Sequence, residues 1–289
     1  MYIAKQTGGN RYFMFDPLKD LAMREELSLL ERLAEALAQE EFELFYQPKV
    51  NMREGRVIGA EALIRWRHPE RGLVPPGEFL PLVEQHALAI PLGEWVIATA
   101  LRQMDTWRRQ GLDLTISVNV SPRHLQQADF ATMLAGLLAL YPDVPPERLE
   151  LEILESAALE DTQHVTEVIA ACRRMGVHFS LDDFGTGYSS LLYLKLLPAD
   201  TLKIDQSFIR SMLDDTNDLA IVKGVIGLAQ AFNRHVIAEG VETEDHGSKL
   251  IRLGCDMGQG YGIARPMPAA DLPAWTAHWQ QPDRWKSPH

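Results

Sequence analysis

Apolar positions along this chain recur in two rhythms. Over residues 17–40, Leu18, Leu21, Leu30, Leu33 and Leu37 fall at three- and four-residue steps among charges, with Pro17 where a helix can start. That spacing predicts an amphipathic helix. Beyond it, short runs rich in β-branched and apolar residues alternate with longer helical patterns, the signature of βα units. The strand-like runs are 42–50, 57–66, 114–120, 149–154, 177–182, 201–205, 235–239 and a weaker 255–261. Helical patterns cover 92–109, 163–175, 218–232 and 244–253, the last with Thr243 as its expected N-cap. Residues 1–16 form a fragment broken at Gly8-Gly9-Asn10, too short for a domain. The number of units favours a barrel, but an open doubly wound sheet gives much the same pattern, and the polar residues must separate the two.

Those polar residues gather at the C-terminal ends of the strands: Glu61, Asn119, Glu152, Asp182, Lys203, Glu239 and Gln259. In Leu149-Glu150-Leu151-Glu152-Ile153 the glutamates take the face opposite the apolar residues, and Val118 and Val120 flank Asn119 in the same way. In a barrel such positions converge on the mouth where active sites sit. Carboxylates brought together there raise one another's pKa, so a cation is implied. A donor set of carboxylates with one amide, and no histidine or cysteine, suits magnesium or manganese better than structural zinc. The adjacent Asp182-Asp183 can flank a pair of ions ~4 Å apart, an arrangement used for in-line phosphoester cleavage. Lys203 can orient or deprotonate an attacking water or steady phosphate charge; a lysine at a strand end reaching solvent is the plainer alternative.

Composition narrows the classes. The 289 residues are 46% hydrophobic and 24% charged, the balance of a globular chain with a sizeable core. A formal charge of −12, from 40 acidic against 28 basic residues, argues against a duplex nucleic-acid binder. It leaves room for an anionic ligand bridged by divalent cations. No apolar run approaches the ~20 residues of a membrane span, and no signal pattern opens the chain, so a cytoplasmic location is expected. Cys172 and Cys255 lack CxxC spacing and are expected to be packed, reduced thiols.

Three motifs have tempting but weaker readings. Asp183-Phe184-Gly185 has the letters of the kinase magnesium motif, but no VAIK-like lysine or HRD loop accompanies it. Gly258-Gln259-Gly260-Tyr261-Gly262 lacks GxGxxG spacing because Ile263 takes the last glycine position. Gly185-Thr186-Gly187-Tyr188-Ser189-Ser190 is either turn chemistry or an adaptable loop tied to a partner surface. The histidines form no HExxH pair, and His68 is expected to be structural.

Taken together, Tyr46-Gln47-Pro48, Gly59-Ala60-Glu61-Ala62-Leu63-Ile64-Arg65-Trp66, Ser117-Val118-Asn119, Glu150-Leu151-Glu152, Asp182-Asp183-Phe184-Gly185-Thr186-Gly187, Lys203-Ile204-Asp205, Glu239-Gly240-Val241-Glu242 and Gln259-Gly260-Tyr261 resemble the EAL family in order and spacing. The resemblance spans roughly residues 42–267. It implies an α/β fold, a TIM-type (β/α)8 barrel with a modified strand arrangement, and an enzyme that hydrolyses cyclic di-GMP to linear pGpG with two Mg2+ or Mn2+ ions. By the same resemblance Glu61, Asn119, Glu152, Asp182, Asp183 and Glu239 are metal ligands, and Lys203, Glu61, Asp183 and Gln259 form the catalytic group. Lys203 is then base or water-orienting group, assisted by Gln259. Gln47, Arg65 and Asp205 look like substrate contacts, with Arg65 suited to a phosphate oxygen. Glu242 stands just outside the metals, and Glu155 is similar to the glutamate that anchors the glycine-rich loop and couples a homodimer interface to metal binding. One departure is Leu154, where the family usually has a threonine hydroxyl holding that loop. Residues 1–16 resemble the tail of a GGDEF domain, which implies an upstream GGDEF-like neighbour, a connector helix over 17–40 and the barrel over 41–289. A catalytically weak or inactive cyclic di-GMP-binding regulatory module is the alternative function.

Overall fold

In the computed structural model, which describes residues 17–154, 162–186, 194 and 196–286, the strand-like runs all form strands. They are β1 (Phe42–Asn51), β2 (Arg56–His68), β4 (Thr115–Asn119), β5 (Leu149–Leu154), β6 (His178–Phe184), β7 (Thr201–Ile204), β8 (His235–Ala238) and β9 (Met257–Gly258). Two short strands lie outside those runs, β3 (Gly72–Val74) and β10 (Met267–Pro268). From β2 through β4, β5, β6, β7 and β8 to β9 each strand is parallel to the next, and β1 closes the ring by pairing antiparallel with both β2 and β9. The result is a closed eight-stranded α/β barrel, with β3 and β10 added outside it. The resemblance implied a modified strand arrangement without saying which, and the modification is a reversed first strand.

A barrel whose first strand runs backwards needs no crossover helix between β1 and β2, which join through a tight turn at residues 52–55. Elsewhere the return path is helical. Ala89–Arg109, Thr162–Arg174, Thr216–Ala231 and Glu244–Leu253 bury one apolar face each against the sheet, and Thr243 caps the last by accepting the amide hydrogen of His246 at 3.2 Å. The outward faces of the strands, including Ile116, Val118, Leu149, Leu151, Phe179, Leu181 and Leu202, form the core between sheet and helices. Cys172 and Cys255 are buried free thiols within it.

The helix expected over 17–40 runs Pro17–Ala38. Leu33 and Ala36 are buried in the barrel's core cluster. Arg32 Nη2 donates to both carboxylate oxygens of Glu41, at 2.8 and 2.6 Å, and the indole Nε1 of Trp66 donates to the same carboxylate at 2.9 Å. This segment is therefore pinned to β2 a few residues from Glu61. Among the described residues no helix is long and apolar enough to cross a membrane.

Candidate active site

A TIM-type barrel is ordinarily filled by branched aliphatic side chains. This one is filled by charge. Lys203, from the middle of β7, is only 1% exposed, and its Nζ faces Glu152 Oε2 at 2.5 Å, Glu239 Oε1 at 2.7 Å, Asp182 Oδ1 at 3.0 Å and Glu61 Oε2 at 3.8 Å. The solvent-reaching lysine is thus set aside. Asn119 donates to Glu61 Oε1 at 2.7 Å, and Gln259 donates through one nitrogen to Glu61 Oε2 at 2.7 Å and Gln47 Oε1 at 2.9 Å. Gln47 in turn donates to the carbonyl of Ala264 at 3.0 Å. The carboxylates expected to meet at one rim do meet, drawn from β2, β5, β6 and the end of β8.

Two consecutive residues of a regular strand point to opposite faces, so Asp182 and Asp183 could not both serve one mouth in ideal geometry. The register of β6 against β7 slips between Leu181 and Phe184, and Asp183 takes φ 52°. That left-handed conformation is open to aspartate at modest cost, and the amide of Asp183 bonds Asp182 Oδ1 at 3.0 Å, which holds the bulge. Oxygens of Asp182, Asp183 and Glu239 consequently lie within 4.8 Å of one another.

The electrostatics follow from burial and crowding. Burial alone would raise Glu152, but the ammonium groups of Lys203 and Lys49 hold it down at about 2. Burial pushes Glu239 up to about 8, with Asp182 and Glu61 adding to the rise against Lys203. Burial, then the charges of Asp182 and Asp205, push Asp183 up to about 6, and burial with Glu152 raises Glu61. Against its own desolvation, Lys203 is driven well above the ordinary lysine value by Glu152, Glu239, Glu61 and Asp182. Two ammonium groups, Lys203 and Lys49, cannot balance this many carboxylates, so some keep protons that a divalent cation would displace. The donors fit such an ion: all are hard oxygens, three carboxylates already converge, and the buried Oε1 of Gln259 has no hydrogen-bond partner.

The remaining expected residues fall around this centre. Arg65 is half-buried, its guanidinium 5.5 Å from the centre of the Phe45 ring and bonded to the carbonyl of Ile64 at 2.8 Å. Asp205 caps the helix Gln206–Ser211 by accepting the Ser207 amide at 2.9 Å and the Ser207 hydroxyl, and it faces Asp183. Glu242 pairs with Arg210 at 2.7 Å. Glu155, with 155–161 and 187–193, lies outside the described residues, as do 1–16. Leu154 ends β5 opposite Asp182 and lines an apolar cavity of about 190 Å³ beside Asn119 and Glu152.

Beside the rim is a cleft of about 220 Å³ lined by Gln47, Glu61, Asp182, Glu239, Gln259 and Tyr261 among others. Its far wall carries Gly260, where a Cβ would stand 2.3 Å from the Val241 amide nitrogen. The glycine-rich segment therefore exists to let two backbones touch, and the dinucleotide reading has no support in its geometry. Sequence reasoning missed Lys49, a second buried ammonium below Lys203, bonded to Glu152 Oε1 at 2.7 Å, Glu150 Oε2 at 3.0 Å and the Ser117 hydroxyl. The signal was present: Gln47 and Lys49 are two apart in one strand, and so share a face.

The EAL domain family matches residues 30–266. The chain is 44% identical over 278 residues to the bifunctional diguanylate cyclase/cyclic di-GMP phosphodiesterase MucR of Pseudomonas aeruginosa, covering 96% of this chain and 40% of that protein. It is 38% identical over 276 residues to the cyclic di-GMP phosphodiesterase PdeR of Escherichia coli, covering 95% of this chain and 41% of that one. The chain thus spans about two fifths of the length of these relatives. Among solved structures, a complex of the PaMucR phosphodiesterase with c-di-GMP superposes with a TM-score of 0.81 at 45% identity, covering 85% of this chain and 99% of that one.

Proposed function

The chain belongs to the EAL domain family, and from that premise we propose that it is a phosphodiesterase that opens cyclic di-GMP to linear pGpG. Two divalent cations, Mg2+ or Mn2+, would be held by Glu61, Asn119, Glu152, Asp182, Asp183 and Glu239. The observation that carries this reading is the convergence of Glu61, Glu152, Asp182 and Glu239 on Lys203 at one barrel mouth, with Asn119 bonded to Glu61 and Asp183 beside Asp182, next to a polar cleft.

Such cations supply an acidified water and charge neutralisation at phosphate. The chain's own residues do the rest. Glu61, fixed from two sides by Asn119 and Gln259, presents its oxygens in one orientation. Lys203, held protonated by its carboxylate neighbours, serves as a hydrogen-bond donor to the attacking water or a phosphate oxygen, in preference to acting as a base. Gln259 keeps one amide oxygen uncommitted next to it. Arg65 offers a guanidinium suited to a phosphate oxygen, and Gln47 lines the cleft. Water oxygen bonds to phosphorus, one ester P–O bond breaks, and the departing alkoxide takes a proton, which leaves a linear dinucleotide.

Incubation with cyclic di-GMP and Mn2+, followed by chromatography, is expected to yield pGpG from wild type and at least ~100-fold less from Lys203→Met. A folded, Mn2+-binding sample that gives no linear product would reject the reading. Calorimetric binding of cyclic di-GMP without turnover would select the regulatory-module alternative, which Leu154 motivates.

A further inference from the structure

Glu152 is held from two directions. Lys203 takes its Oε2 at 2.5 Å, and Lys49, from the antiparallel strand β1, takes its Oε1 at 2.7 Å. Lys49 is itself anchored by Glu150 Oε2 at 3.0 Å and by the Ser117 hydroxyl, which also donates to Glu150 Oε2 at 2.5 Å. All five side chains are buried in the barrel interior, on strands β1, β4, β5 and β7. The order through the barrel is therefore Glu150, Lys49, Glu152, Lys203, and then the rim carboxylates. Below it, at the end away from the rim, a cavity of about 190 Å³ is lined by Lys49, Ser117, Glu150, Thr115, Thr201 and His235.

We infer that Lys49 is a positioning residue: by occupying Oε1 of Glu152 from beneath, it commits that carboxylate to face the rim through Oε2 alone. The inference rests on the proposed role of Glu152 in holding a cation. A carboxylate free at both oxygens can rotate, bind an ion through two oxygens, or turn down toward Ser117. With Oε1 tied to an ammonium that cannot itself move without leaving Glu150, Glu152 offers one oxygen along one direction. Groups that orient ligands in this way change metal affinity or activity by ~10–100-fold when removed. Ion-pair balance alone gives a different expectation. Deleting a buried cation would leave the site more negative, and a divalent ion would then bind as tightly as before or more tightly.

The test removes the lysine without unbalancing the interior. Lys49→Met alone strands Glu150 and can fail to fold, since breaking a buried pair is strongly destabilising. Lys49→Met/Glu150→Gln deletes one charge of each sign, and Glu150→Gln alone keeps the bond from Lys49 to Glu152. Mn2+ is titrated calorimetrically into metal-free wild type and both variants, and cyclic di-GMP turnover is followed at saturating Mn2+. The expected result is near wild-type Mn2+ affinity for Glu150→Gln and at least 10-fold weaker affinity for the double variant. In the double variant kcat also falls, with KM for the dinucleotide little changed. Equal Mn2+ affinity in the double variant and Glu150→Gln overturns the inference. Failure of wild type to bind Mn2+ at all would instead strike the proposed function.

Discussion

Gln259 Nε2 lies 2.7 Å from Glu61 Oε2, although the two residues are 198 positions apart in the chain. The reversed first strand makes this possible. Because β1 runs against both β2 and β9, Gln47 sits opposite Glu61 in register while Gln259 follows directly on β9, and the three side chains meet at the closure of the barrel. Gln259→Ala is expected to leave Glu61 with Asn119 as its sole amide donor, costing about 1.5–3 kcal/mol for a hydrogen bond to a charged group. Urea unfolding would measure that loss. Mn2+ affinity should fall as Glu61 gains freedom, by ~10-fold or more. Unchanged affinity would mean that Glu61 is oriented by Asn119 alone.

Removing the central ammonium should separate holding the ions from using them. Lys203→Met leaves four carboxylates facing an apolar stem, and the metal-free variant is expected to lose about 3–5 kcal/mol of stability. Mn2+ should restore much of it, because an ion bound only to the folded chain stabilises it by mass action. Turnover should still drop by at least ~100-fold at saturating Mn2+, the loss expected when one preorganised donor is removed. Loss of Mn2+ binding in the refolded variant would show that Lys203 shapes the ligand set and is not a group used in the reaction.

The chain writes its strands plainly and their direction not at all. Alternation in Phe42–Asn51 is the same whether the strand runs with or against its neighbours, so nothing in those residues discloses that β1 is reversed. Glu61, Glu152, Asp182 and Glu239 were legible because burying a carboxylate is expensive and each interrupts an apolar run. Lys49 was passed over because a lysine after a proline at the start of the domain has the look of a surface residue, although its two-residue spacing from Gln47 puts both on one face of β1. Asp205 was read as a substrate contact from its place in Lys203-Ile204-Asp205, and its helix-capping bond to Ser207 depends on a turn that the strand pattern hides. The strands Gly72–Val74 and Met267–Pro268 are too short to establish a period.

Gly260 offers a test of how closely the rim depends on backbone contact. An added methyl would fall 2.3 Å from the Val241 nitrogen and 2.4 Å from its carbonyl oxygen, and backbone cannot step aside as a side chain can. Val241 is bonded to the same segment through Gln259 O and the Gly262 amide, each at 3.0 Å. Gly260→Ala is therefore expected to cost about 1–3 kcal/mol of stability and to displace Gln259 with it. Turnover measured well below the melting temperature should fall more than the folded fraction does. A variant that is destabilised yet fully active when folded would show that Gln259 tolerates the shift.

His124 gives the fold a dependence on acid that is independent of the carboxylates. Its ring is 1% exposed, packed edge-on against Phe130 at 4.8 Å, and both ring nitrogens are buried without a hydrogen-bond partner. Burial holds its pKa down at about 4, opposed in part by Asp129, against 6.5 when exposed. The unfolded chain therefore takes up a proton that the folded chain refuses. Stability from this residue is intact above pH 6.5 and declines as pH falls toward 4, by about 2 kcal/mol between pH 7 and pH 5. His124→Leu should abolish that increment, and it should also stabilise the protein at pH 7 because no buried nitrogen is left unpaired. Urea unfolding of both proteins at pH 7 and pH 5 decides the matter. If the difference in stability between them is the same at the two pH values, His124 is not held neutral by burial.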